Sequence, residues 1–149
     1  MKKYLIYFFA MLMTASSLVL TSCSSDDDEI GDNNYAEMIV GSWKNKIAID
    51  DDWYGDGYTR FYSDGTYKDV EIDMYYGSKE VTHSSGTWSI SGNKITMHVN
   101  DGISGLDTGT STITKMTATE MVINAAGIDL TYTKITDSEF DSYYRLEER

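Results

Sequence analysis

The chain has 149 residues, 24 acidic against 12 basic side chains for a net charge of −12, no proline and one cysteine. That length supports one domain with a real core and is too short for two. The acidic balance, with no basic cluster to offset it, excludes nucleic-acid phosphate as a partner, and a lone cysteine excludes an internal disulfide and a thiolate metal site.

The N-terminus carries Lys2 and Lys3, an apolar run from Tyr4 to about Met13, and then small residues. This is the layout of a secretory signal peptide, too short and too soon followed by acids to span a membrane. Leu20-Thr21-Ser22-Cys23 resembles the lipobox of bacterial lipoproteins. The resemblance implies that 1–22 is a signal peptide cleaved after Ser22 and that the Cys23 thiol is lipidated, leaving no cysteine nucleophile. The alternative is an ordinary signal peptide with a coincidental cysteine. The 127-residue mature chain keeps 10 bases against 24 acids, so its acyl chains rather than charge would hold it to an anionic membrane. One chain alone binds only marginally, at about 0.8 kcal/mol per buried CH₂, whereas the several chains of a bacterial lipoprotein suffice.

Ser24 to Asn34 holds five acids, two serines and one glycine. Too polar to bury surface, residues 23–35 read as the lipidated cysteine and a flexible acidic tether. An acidic run directly after the cysteine resembles the surface-export signal of Bacteroidetes lipoproteins, which implies lipid anchoring in the outer membrane and display at the cell surface. The other reading of the run is a solvated spacer.

From about Glu37 to Ile135 the pattern is β: runs rich in Ile, Val, Thr and Tyr, broken by glycine-containing turns every 8–12 residues. Strands are expected near 37–49, 57–63, 66–74, 80–90, 94–100, 110–116, 120–124 and 128–135. Ser63-Asp64-Gly65 and Ser91-Gly92-Asn93 are short enough to force antiparallel hairpins. Period-2 alternation picks out Val70, Ile72 and Met74; Trp88 and Ile90; Ile95, Met97 and Val99; and Ile128, Leu130 and Tyr132 as core-facing. Their neighbours are mostly Thr, Ser, Lys, Asp and His, giving each strand one wet face. The fold class that follows is all-β: an antiparallel up-and-down barrel of about eight strands, or a sandwich, over 36–149. After Ile135, Thr136 or Asp137 is placed to cap a short C-terminal helix through Asp141 to Glu147, with Phe140 and Tyr144 on one face.

Four motifs in this order carry a family resemblance: Val40-Gly41-Ser42-Trp43, Phe61-Tyr62-Ser63-Asp64-Gly65-Thr66, Gly86-Thr87-Trp88-Ser89-Ile90 and Thr131-Tyr132-Thr133-Lys134. Together they resemble the lipocalin-like (calycin) domains of small Bacteroidetes lipoproteins over about residues 38–135. The resemblance implies an eight-stranded barrel closed at its floor by Gly41 and Trp43, with Phe61 and Trp88 in the core. In calycins a late arginine stacks its guanidinium plane on the first-strand tryptophan. The matching residue here is Lys134, which cannot stack in that way, so closure is expected to differ in detail.

Asp50-Asp51-Asp52-Trp53-Tyr54-Gly55-Asp56-Gly57 is the densest loop candidate between the first two strands. Its oxygens suit calcium, but the spacing does not fit an EF-hand, and a solvated acidic loop is the plainer reading. In a lipocalin-like barrel this loop lies at the open mouth, so Trp53 and Tyr54, with the pair Tyr75 and Tyr76, are the candidate ligand-binding residues. The plainer alternative is that these aromatics cap the core. Ser91-Gly92-Asn93-Lys94 has the Ser-x-x-Lys spacing of acyl-enzymes but falls in a hairpin turn, where the helix that chemistry needs is missing. His83 and His98 lie in different strands without acidic neighbours at ligand spacing. No catalytic residue, metal or cofactor is therefore expected. Two functions remain open: a non-enzymatic binding module for a small apolar or amphipathic molecule or a glycan, and a protein-interaction or inhibitor module using the acidic loop 50–56 against a basic partner.

Overall fold

Residues 34–48, 53–100 and 108–146 are described by the computed structural model. The signal peptide, Cys23, the acidic tether up to residue 33 and Asp50–Asp52 lie outside them, and Tyr35, expected to end the tether, begins a helix. Short β-branched runs separated by Asp-Gly and Gly-Asn turns leave each strand only its sequence neighbour to pair with. Eight strands result: β1 (Gly41–Ala48), β2 (Trp53–Phe61), β3 (Thr66–Tyr75), β4 (Ser78–Ser91), β5 (Lys94–Val99), β6 (Thr108–Met116), β7 (Glu120–Ala125) and β8 (Ile128–Ile135). Each pairs antiparallel with the next, and β8 returns to β1 through Ser42↔Ile135 and Asn45↔Tyr132, closing the barrel. A turn of helix, α1 (Tyr35–Met38), precedes the barrel and α2 (Asp137–Tyr144) follows it. Among the described residues no helix is long and apolar enough to cross a membrane.

The turn chemistry works as the residues dictate. In the β2–β3 turn, Asp64 Oδ1 accepts from the Thr66 amide at 2.9 Å and the Thr66 hydroxyl at 2.6 Å, bonds that hold the Asp64 carboxyl below the usual range. The N-cap of α2 is Thr136, whose hydroxyl accepts from the Glu139 amide at 3.1 Å.

Two apolar clusters form on opposite sides of the wall. Inside, at the end carrying α1, lie Ile39, Trp43, Phe61, Tyr67, Ile95, Ile113, Met121 and Ile123. Outside, α2 lays Phe140 over Tyr58, Val70 and Val81. Arg60 anchors the helix through Asp137 at 2.8 Å and Asp141 at 3.2 Å, and the Ser42 hydroxyl donates to Asp137 at 2.7 Å. The Tyr58 and Tyr143 rings stack at 3.9 Å; burial, the neighbouring Tyr143 hydroxyl and the Asp56 charge push the Tyr58 phenol up.

The strand plan needs three corrections. Glu37 and Met38, expected in the first strand, belong to α1, because the chain must turn inward to deliver Ile39 to the floor. Residues 53–56, expected as loop, are strand: β2 continues in register with β3 as far as Trp53↔Tyr75. The third correction concerns which face of β3 is wet. Val70, buried outside under Phe140, makes the alternation of β3 the reverse of the expected one. Asp69, Glu71 and Asp73 therefore face the barrel interior.

Candidate binding site

The floor is the tightly built end. Trp43, fully buried, donates its indole N–H to the Ile39 carbonyl at 2.6 Å. Lys134 lies over its ring, with Nζ 4.2 Å from the centroid, and donates to the Val40 carbonyl at 2.6 Å. The lysine thus does by cation–π contact what a stacked guanidinium would do, and a point charge needs no coplanarity. Burial lowers the Lys134 pKa, and the charge of Asp137 opposes the shift. Gly41 is required beside it. Its φ is +116°, and a Cβ there would come within 2.8 Å of the Lys134 ammonium.

Phe61 is buried as expected, packed edge-on to Trp88 at 5.8 Å. Trp88 packs against this core but is half-buried, short of the burial expected for it. Its N–H is shared between the Tyr62 carbonyl at 3.1 Å and the Thr66 carbonyl at 3.0 Å, so the ring sits at the edge, tying β4 to the β2–β3 turn. Ile95 is core, Met97 and Tyr132 pack against it half-buried, and Leu130 is half-buried.

Above the floor the interior wall changes character. The Thr59 hydroxyl donates to Asp69 at 2.6 Å, Asn45 is buried, and Gly55 and Gly57 leave β2 bare where Asp73 and Asn45 lie across it. Burial raises the Asp69 carboxyl to about 6, the Thr59 bond opposing the shift. Burial, then the charges of Asp69 and Asp73, raises Glu71 to about 8. Burial, then the charges of Asp69 and Glu71, pushes the Tyr132 phenol up. These carboxylates were missed because period-2 alternation cannot say which face is inside. The available signal was Phe140 on a short amphipathic helix, which needs an apolar outer wall to cover.

At the mouth, where β1, β3, β5 and β7 end, large apolar side chains are exposed: Tyr54 at 51%, Tyr76 at 70% and Ile128 at 51%. Trp53 and Tyr75 pair across β2 and β3 at the same level, and their side chains lie outside the described residues. The structure therefore brings the backbone of all four candidate aromatics to one end. Tyr76 occupies the β3–β4 turn with φ +46°, a left-handed conformation uncommon for a bulky residue.

The remaining candidates are dispersed. Asp56 pairs with Lys44 at 3.5 Å on the outer wall. His98 Nδ1 meets the Thr108 hydroxyl at 2.6 Å, and His83 Nε2 lies 3.0 Å from the Tyr144 carbonyl. Ser91 and Lys94 are the exposed flanks of a two-residue turn. Among the described residues no three His, Cys, Asp or Glu side chains are grouped to hold a metal. A cleft of about 150 Å³ beside the end of α2 is lined by His83, Ser84, Ser85, Val99, Asn100 and Tyr144.

The closed eight-stranded barrel and its Trp43–Lys134 floor meet a sequence match to the lipocalin-like domain over residues 39–123. The chain belongs to that family. The lipocalin-like barrel also superposes on a crystal structure of a lipocalin-like protein from Bacteroides uniformis, with a TM-score of 0.50 and 12% identity over 66% of this chain and 99% of the other. An uncharacterized protein from Bacteroides eggerthii, also 12% identical, aligns over 65% of this chain and 99% of its own with a TM-score of 0.44. At such identities the likeness speaks for the lipocalin-like fold alone. No curated protein matches the chain in sequence.

Proposed function

We propose that this lipocalin-like barrel is a non-enzymatic binding module that takes a small amphipathic molecule or a glycan at its mouth. The observation that carries this reading is Tyr76, a large ring 70% exposed in the two-residue β3–β4 turn at the mouth. The left-handed φ of Tyr76 belongs to the two-residue hairpin turn itself, since Ala126 adopts φ +47° in the matching β7–β8 turn, so it is the exposure of the ring at the mouth that supports the reading. Tyr54 and Ile128 add apolar surface to the same rim. The interior below is lined by Asn45, Thr59, Asp69 and Tyr132, polar groups whose desolvation a wholly apolar ligand would not offset. A ligand with a polar face therefore suits the barrel better than a hydrocarbon does.

Isothermal titration of mono- and oligosaccharides and of amphipathic small molecules tests the reading. A ligand found this way should lose about tenfold in affinity to Tyr76→Ala, as an aromatic at a binding centre does. Unchanged affinity in that variant, and in Tyr54→Ala, would move the site off the rim. The second reading, an acidic loop docking on a basic partner, has less to rest on, because Trp53–Gly57 belong to β2 and Asp56 is ion-paired. We also propose that the barrel is carried on a lipid at Cys23, in the outer membrane and facing outward. Cys23→Ala should then release it from the membrane fraction, and protease added to whole cells should reach the unaltered protein.

A further inference from the structure

Three carboxylates at alternate positions of one strand, Asp69, Glu71 and Asp73, share the interior face of β3. Position and hydrogen bonding make them a column rather than a scatter. Asp69 is fixed by Thr59 from β2, Glu71 stands between the other two acids, and Asp73 is 93% buried. The charged and titratable groups around them can be placed strand by strand. Among the described side chains of β1 and β2 the interior positions at this level are Asn45, Thr59, Gly57 and Gly55, none of them ionisable. From β4 they are Ser84, Thr82 and, at the exposed rim, Glu80. Across the barrel β8 presents Tyr132, and its Lys134 is committed to Trp43 and Val40 at the floor. His83 belongs to the outer face of β4, paired across Val70, and its charge lowers the Asp69 carboxyl against the burial that raises it.

We propose that this column makes the barrel a pH-responsive device: the wall β2–β3–β4 is tight while the column holds protons and loosens as Asp69 and Glu71 ionise against each other and against Asp73. The inference goes beyond the binding reading and does not depend on it. Its sign follows from linkage. Free carboxylates titrate near 4, whereas burial holds Asp69 up to about 6 and Glu71 up to about 8. The folded state therefore binds more protons than the unfolded one between those values. The stability that these two groups contribute is fully present below the ordinary carboxylate range and is lost as pH rises through about 6 for Asp69 and about 8 for Glu71. This is the reverse of ordinary acid denaturation. Most exposed acids are already ionised by pH 5, so they contribute little slope above it.

The test is thermal unfolding of the full chain in detergent between pH 5 and pH 8.5, with proton release on unfolding measured at pH 7. The midpoint should fall by about 5–10 °C across that window. Glu71→Gln, which mimics the protonated acid, should remove about half of the fall or more, while Glu37→Gln on the exposed α1 should keep all of it. Unfolding the unaltered chain at pH 7 should release about one proton, a reading that needs no variant to fold. A midpoint that holds or rises with pH, proton uptake on unfolding, or a slope that Glu71→Gln leaves intact would each overturn the proposal.

Discussion

The floor and the upper interior of this barrel are enclosed by the same eight strands and obey opposite rules. At the floor every large group has a fixed partner: Trp43 bonds the Ile39 carbonyl, Lys134 covers the indole, and Gly41 yields the space between them. A few residues higher the same strands present Asn45, Thr59, Asp69 and Glu71, with bare glycines on β2. Burial is costly for a carboxylate, so the upper wall keeps a polar, proton-holding character that a stability-driven core would not select. The difference teaches where each job lies. The floor holds the fold, and the upper wall is left for something else.

The largest effect should come from the floor. Trp43→Ala removes a fully buried indole and leaves the Lys134 ammonium over a void. It should cost about 3–5 kcal/mol by chemical denaturation, the usual range for a buried large aromatic. Trp88→Ala should cost clearly less, since that ring is half-buried at the edge. Equal costs would mean that the floor is not the seat of stability.

Next comes Lys134. Lys134→Met keeps the aliphatic stem but loses the cation over Trp43 and the bond to the Val40 carbonyl, for about 2 kcal/mol together. Lys134→Arg should restore most of that, because a guanidinium can serve both contacts. A neutral result for Lys134→Met would make the lysine a bystander at the closure.

In the upper wall, Thr59→Val removes the donor that steadies Asp69 and should cost about 1 kcal/mol. The sign with pH is specific. The bond lowers the Asp69 carboxyl against its burial, so losing it raises that carboxyl further above its free value. The penalty should therefore be larger at pH 8, where the acid must ionise, than at pH 5. A penalty independent of pH would detach Thr59 from the column.

How much of this could be read from residues alone differs between the same two regions. The floor was legible only through the family resemblance that Gly41-Ser42-Trp43 and the late Lys134 carry, and the lysine's cation–π contact with Trp43 was not legible, because the expectation turned on a guanidinium's planar stacking. Strand order was legible too, since turns as short as Ser91-Gly92-Asn93 force neighbours to pair. The β3 face was not. Val70 and Asp69 alternate identically whichever is inside, and only the cover that Phe140 gives to Val70 decides it. The boundary of β2 was missed for a related reason. Gly55, among acids and beside Trp53 and Tyr54, looks like a loop residue, yet it lies in strand, facing Asp73.

The smallest stability effect, and the one most telling for function, belongs to the rim. Tyr76→Gly puts the residue with the least steric objection into a turn position at φ +46°. Relief of left-handed strain, about 1 kcal/mol, is offset by glycine's greater freedom when unfolded, about 0.5–1 kcal/mol. The net change in stability should lie within about 0.5 kcal/mol and can even favour the variant. Truncations at the floor lose folding free energy without touching the mouth, whereas this one should leave folding intact while removing the exposed ring that the binding reading needs. Measured together by denaturation and by titration with a rim ligand, Tyr76→Gly should keep its midpoint and lose about tenfold in affinity. A variant that loses stability and keeps its ligand would show that Tyr76 serves the fold and that the two ends of the barrel are not divided in this way.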